Sequence, residues 1–262
     1  AHIENMDNSR LGVLKAKSEI FEDLQQGGLA VLNGDDELLC TLDLPFRTLR
    51  CGRSENCDVR VTDIVERGMD GIDCTVTTRK QSYRLRIPSP GEYMIYPASM
   101  ATAIAEELGM SEAEIEAGVA NYQTTGSRMR RVKLAGNRLL VDDCYNANPV
   151  SMKAAIDLLM MAQGRKVVIL GDMFELGTDE LALHREVGMY AAMARLEGMI
   201  FIGNLSKEMY EGAVKLRAMP EYYPDKEAFF AAHKAEDFAD TTVLVKASHG
   251  MHFEEIVEWL KN

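Results

Sequence analysis

No apolar run in the sequence reaches the ~20 residues that a membrane-spanning helix needs. The opening stretch, AHIENMDNSR, is polar and carries no signal-peptide pattern. Membrane insertion is therefore not expected. Basic residues are in deficit, 29 Lys+Arg against 41 Asp+Glu, for a formal charge of −12. A protein that grips a phosphate backbone needs the opposite surplus, so nucleic acid is not an expected partner. Cysteines number five, at 40, 51, 57, 74 and 144, with no C-x-x-C. That count and spacing argue against a disulfide framework and against zinc, and fit reduced thiols in the cytoplasm. Two glycine signatures are also missing. Without G-x-G-x-x-G a dinucleotide cofactor is disfavoured, and without G-x-x-x-x-G-K-[ST] the chain has no loop of the kind that cradles phosphates.

What remains is an ordinary soluble composition, 47% hydrophobic and 27% charged, over 262 residues, enough for two domains or one large one. Helical spacing of Leu11, Leu14, Phe21 and Leu24 predicts a helix from Arg10 to Leu24, ended by Gly27-Gly28. Short strands are expected at Leu29–Leu32, Leu39–Leu42, Thr48–Cys51, Val59–Ile64, Cys74–Thr77 and Tyr83–Ile87, separated by turns rich in Gly, Asn and Asp. A helix from Tyr96 to Leu108 follows. A second helix, running to Val119, opens with the capping box Ser111-x-x-Glu114.

Gln123–Ser127 reads as a linker, which divides the chain into domains 1–125 and 126–262. Beyond it, Val132–Ala135 and Arg138–Val141 flank Gly136-Asn137 as a β-hairpin, because those two residues tolerate the positive φ of a tight turn. Strands at Val167–Leu170, Met199–Ile202 and Val243–Val245 then alternate with helices at Val150–Met161, Glu180–Ala194, Lys207–Leu216, Lys226–Lys234 and Phe253–Leu260. Alternation of this kind predicts a mainly parallel sheet covered by helices.

Four polar or glycine-rich turns follow those strands: Asp142–Asn148, Gly171–Gly177, Gly203-Asn204 and Lys246–Gly250. In a parallel sheet they share the carboxyl rim, where open α/β sheets bind ligands. Each alone is an ordinary turn. Together they predict a binding rim, and its mixture of acids with Lys246 suits a ligand of mixed polarity. On physical grounds alone, His2 reads as a surface residue and Lys17 as part of a solvated helix face.

The ordered segments AHIENM, LKAKSEIF, AVLNGDD, DDCYNANPVSM, LGDMFELG and VLVKASHGM resemble the Mur ligase family along nearly the whole chain. The resemblance implies the C-terminal part of an α/β central ATP-binding domain followed by a complete Rossmann-like C-terminal domain, a mainly parallel sheet with helices on both faces. It implies a cytoplasmic, ATP- and Mg²⁺-dependent ligase of peptidoglycan-precursor synthesis. YNANP with GDMFELG points to the branch that adds D-alanyl-D-alanine to UDP-N-acetylmuramoyl-tripeptide through an acyl phosphate. By the same resemblance His2 is a magnesium ligand. Lys17 is a lysine that, carbamylated, turns from cation to anion and binds the metal too. Arg128 reaches the ATP phosphates, Asp143 the ribose, and Asn146, Asn148 and Ser248 the substrate side. Asp172 and Glu175 match the motif without an assigned role. Asp143→Asn, being nearly isosteric, is expected to weaken nucleotide use and leave the fold in place.

The chain also departs from the family pattern. Met94 and Pro97 stand where asparagines usually touch adenine, and Ala247 and His249 replace the usual glycine and arginine of K-G-S-R. With no phosphate loop in the sequence, the resemblance places that loop and a UDP-sugar domain upstream of His2, and the chain alone is not expected to be a competent ligase. Two other readings stand beside this one: a related ligase with a different amine substrate, and a non-catalytic module that binds a muramyl peptide.

Overall fold

The computed structural model describes residues 9–124 and 126–262. They fall into two compact units that meet in sequence between Gln123 and Thr124. His2 lies outside the described residues. Among the described residues no helix is long and apolar enough to cross a membrane.

The first unit opens with α1 (Arg10–Ser18), whose start is fixed by Ser9: its hydroxyl accepts the Gly12 amide at 2.9 Å. The predicted run to Leu24 is too long. The Ser18 hydroxyl donates back to the Leu14 carbonyl at 2.7 Å, and the chain tightens into a 3₁₀ turn at Glu19–Phe21. Strands β1 (Leu29–Asn33), β2 (Arg47–Gly52), β3 (Val59–Glu66), β4 (Ile72–Thr77) and β5 (Ser82–Ile87) lie side by side in that order. The first three are parallel; β3, β4 and β5 are antiparallel.

Leu39–Leu42 is not a strand. Asp36 captures it, its carboxylate accepting the Leu38 and Leu39 amides and its carbonyl the Cys40 amide, so Leu39–Thr41 coils as a 3₁₀ turn. Along β5 burial alternates residue by residue, placing Tyr83, Leu85 and Ile87 in the core. α2 (Ile95–Glu107) and α3 (Glu112–Ala120) contribute Ile95, Ala103 and Ile115 to that core. The capping box is present as expected: the Ser111 hydroxyl accepts the Glu114 amide, and the Glu114 carboxylate accepts the Ser111 amide at 2.8 Å.

In the second unit β6 (Arg130–Leu134) and β7 (Arg138–Asp142) form the expected hairpin, with Gly136 at φ 70° and Asn137 at φ 53°. Then come α4 (Pro149–Met160), β8 (Arg165–Gly171), α5 (Glu180–Met193), β9 (Gly198–Ile202), α6 (Ser206–Lys215), β10 (Glu221–Tyr223), α7 (Lys226–Ala232), β11 (Thr241–Lys246) and α8 (Glu254–Lys261). The sheet order is β10-β9-β8-β11-β7-β6, parallel throughout except for the hairpin. β10 is an addition to the sequence reading; three residues are too few to show alternation.

All six residues of β11 are buried, as befits a central strand covered on both faces. Val167, Ile169, Val243 and Val245 face a core built with Phe229 of α7 and Ile256, Val257 and Leu260 of α8. The alternate residues Val168, Leu170 and Leu244, equally buried, point to the face where α4 and α6 lie against the sheet. On that side α5 and α6 approach closely. A side chain at Gly188 would overlap the Met209 carbonyl, and one at Gly212 the Arg185 carbonyl.

Candidate active-site rim

Because β7, β8, β9 and β11 are parallel, their carboxyl ends lie on one rim, and the turns after them are tied to one another. The central tie is Lys246, the last residue of β11. Its side chain is 2% exposed, and its ammonium donates to Asp143 Oδ2 at 2.6 Å and to the Asn146 carbonyl at 2.8 Å. A lysine this buried is tolerable only with such partners. The second carboxylate oxygen of Asp143 accepts the Met129 amide at 3.0 Å. Burial drives the Asp143 carboxyl above its ordinary range, and the Lys246 ammonium and the Met129 amide draw it only part of the way back.

The turn after β8 is fastened to the turn after β11. The Ser248 amide donates to the Asp172 carbonyl at 3.0 Å, and the Ser248 hydroxyl accepts the Phe174 amide at 2.9 Å. Asp172, without a role in the sequence reading, has one here. Buried, its carboxylate accepts both the amide and the hydroxyl of Ser206 at 2.7 and 2.6 Å, holding the first residue of α6. Negative charge at a helix start is favourable. Glu175 is exposed and sits at φ 61° in this turn.

On the exposed side of the rim the Arg128 guanidinium lies 4.0 Å from the centre of the Tyr145 ring, a cation–π contact. The His249 ring is 5.8 Å from the same tyrosine. Asn148 is the N-cap of α4: its carboxamide oxygen accepts the Ser151 amide at 2.9 Å, with Pro149 at the first helical position. Asn146 accepts the Ala147 amide on its carboxamide oxygen at 2.7 Å.

Arg128, Asp143, Asn146, Asn148 and Ser248 thus gather on one unit. Lys17 belongs to the other, exposed on α1. There Met94 packs against the core, and Pro97 occupies the first turn of α2, where its missing amide costs no helical hydrogen bond. Among the described residues no three His, Cys, Asp or Glu side chains converge as a metal cluster.

One rim-supporting residue escaped the sequence reading. His184, in the middle of α5, is 0% exposed and accepts the Met173 amide on Nε2 at 2.9 Å. Nothing local marks it; its partner is eleven residues away and meets it only in the fold.

Two family descriptions match this chain: the Mur ligase middle domain over residues 1–105, and the Mur ligase glutamate ligase domain over residues 127–249. The chain belongs to the Mur ligase family. Among relatives of this Mur ligase chain, the UDP-N-acetylmuramoyl-tripeptide--D-alanyl-D-alanine ligase of Escherichia coli is 33% identical, the match covering all of this chain and 58% of that protein. The Bacillus subtilis protein of the same name is 30% identical, over 98% of this chain and 56% of that one. A crystal structure of MurF from Acinetobacter baumannii superposes with a TM-score of 0.87 at 27% identity, covering 96% of this chain and 56% of that one. The chain thus spans rather more than half the length of the relatives it matches.

Proposed function

We propose that this chain is part of an ATP-dependent amide ligase of peptidoglycan-precursor synthesis that works in the cytoplasm and adds D-alanyl-D-alanine to UDP-N-acetylmuramoyl-tripeptide. The names of the E. coli and B. subtilis relatives support the substrates. The observation on this chain that carries the reading is the rim itself: Arg128 displayed on Tyr145 while Lys246 fixes Asp143 and the Asn146 carbonyl. Residues 1–125 would be the C-terminal part of the ATP-binding domain and 126–262 the C-terminal domain, with the remaining portion of the protein supplying the phosphate loop.

In the proposed reaction the γ-phosphoryl group of ATP passes to the peptide carboxylate, leaving ADP and an acyl phosphate. The amine of D-alanyl-D-alanine attacks the acyl carbon, the C–O bond to phosphate breaks, and the ammonium proton is released. Negative charge accumulates on phosphoryl oxygens, so catalysis rests on positioning and cationic stabilisation. Arg128 is the exposed cation suited to those oxygens. Asp143, with both oxygens engaged but lone pairs to spare, would accept from a ribose hydroxyl. Asn146, Asn148 and the Ser248 hydroxyl would line the peptide side. Mg²⁺ would supply charge neutralisation when bound; His2 and carbamylated Lys17 are its proposed ligands on the family resemblance, and Lys17 is exposed, so its amine is open to CO₂.

The decisive assay restores the complete gene and measures ATP-dependent joining of D-alanyl-D-alanine to the UDP-muramoyl-tripeptide. No product, under conditions where a control ligase turns over, would refute the proposal. Met94 on the core and Pro97 in the first turn of α2, in place of adenine-contacting asparagines, favour a second reading as a non-catalytic muramyl-peptide module. Tight peptide binding without turnover would support it.

A further inference from the structure

The hydrogen bonds around His184 fix its tautomer. The Glu180 carbonyl, 2.6 Å from Nδ1, can only accept, so Nδ1 carries the proton. Nε2, 2.9 Å from the Met173 amide, is therefore a bare acceptor, and the ring is neutral. A proton on Nε2 would set donor against donor in a site without solvent, and the Met173 amide would lose its partner.

The amide at risk is one of two consecutive ones that fasten the turn after β8. Met173 is held by His184 from α5, and Phe174 by Ser248 from the turn after β11. Ser248 lies two residues beyond Lys246, which grips Asp143 and Asn146. A continuous set of contacts thus runs from His184 to the polar groups of the rim. The charged groups around the histidine are Asp172, held by Ser206, and Glu180 and Glu208, the last paired with Arg185.

We propose that His184 is a positioning residue: neutral, it pins the turn after β8 to α5, and its protonation unfastens that turn and sets the acid limit of ligation. The structural half stands on this chain's geometry alone; the effect on ligation rests on the proposed ligase activity. Burial holds the imidazole below its ordinary range despite the three acids, so the switch lies on the acid side of neutrality.

The test is a pH titration of the ¹⁵N-labelled full chain by NMR from about pH 7.5 down to about 4, reaching below the ordinary histidine range; a His184 ring that does not titrate across it would overturn the proposal. The Met173 and Phe174 amide resonances should move with the His184 ring signal. In His184→Gln, whose carboxamide oxygen accepts from Met173 without titrating, they should stay still. Met173 and Phe174 amides that ignore the His184 titration in the wild-type chain would overturn the proposal, whether or not the variant folds. In the complete enzyme, wild-type kcat/KM should fall about tenfold per pH unit below the titration point, as for loss of one proton-free form. His184→Gln should keep its neutral-pH rate and lose that acid limb. An identical limb in both proteins would also overturn the proposal. No ligation at any pH would instead refute the ligase reading, leaving the NMR result to decide the role of His184.

Discussion

Lys246 and Asp143 change what a conservative substitution means at the rim. By shape alone Asp143→Asn is nearly silent to the fold. With the Lys246 ammonium 2.6 Å away and almost wholly buried, the same change strands a cation. The variant should lose about 3–5 kcal/mol of stability, the usual cost of breaking a buried pair from one side. Urea denaturation of Asp143→Asn would measure it. Asp143→Asn combined with Lys246→Met should recover most of the loss, because no charge is left behind, whereas a purely local role for Asp143 predicts no recovery. His184 adds a pH dependence whose sign follows from its depressed pKa. The unfolded chain takes up the proton first, so stability should decline as pH falls below about 6.5, by at most ~1.4 kcal/mol per unit. Comparing urea midpoints of wild type and His184→Gln across that range isolates the contribution. Neither partnership is visible in the sequence, since Asp143 and Lys246 lie 103 residues apart and meet only through sheet order.

At the level of elements, the α5–α6 contact has the least room for change. Gly188→Ala should cost about 1–3 kcal/mol, seen as a lower thermal midpoint, because the new methyl would push against the Met209 backbone, which cannot rotate away as a side chain could. Ser111→Ala removes one half of a reciprocal cap on α3 and should cost about 1 kcal/mol. The strength of local signals explains which elements were legible. The hairpin at Gly136-Asn137, the capping box at Ser111 and the helix after Asn148-Pro149 announce themselves within a few residues, and all three are present. Leu39–Leu42 misled because its apolar residues suggested a strand, while the decisive group was the Asp36 side chain beside it. The over-long first helix failed for a similar reason, a Ser18 hydroxyl competing for a backbone carbonyl.

For the molecule as a whole, the parallel sheet and its shared rim followed from alternation of strands and helices, because that pattern constrains topology strongly. What the rim residues do to one another did not follow. Asn148 caps a helix, Asp172 anchors another, and Ser248 joins two turns. Side chains that resemble ligand contacts in a sequence can serve the scaffold at the same time. The two-unit chain contains Arg128 and Asp143 but no phosphate loop, so it should bind Mg-ATP poorly by itself. Isothermal titration calorimetry should detect no micromolar affinity; a clear micromolar isotherm would mean that this rim holds the nucleotide unaided.

The position of β11 bears on how the chain is made. It follows the other five strands of its sheet in chain order, yet it lies between β7 and β8, which have no hydrogen bonds to each other without it. Until residues 241–246 emerge, the nascent sheet is two separate pieces, each with an open edge that invites pairing with a neighbouring chain. Folding of this unit must therefore wait until β11 has been made, and a stop codon placed just before Thr241 should yield aggregates rather than a smaller soluble protein.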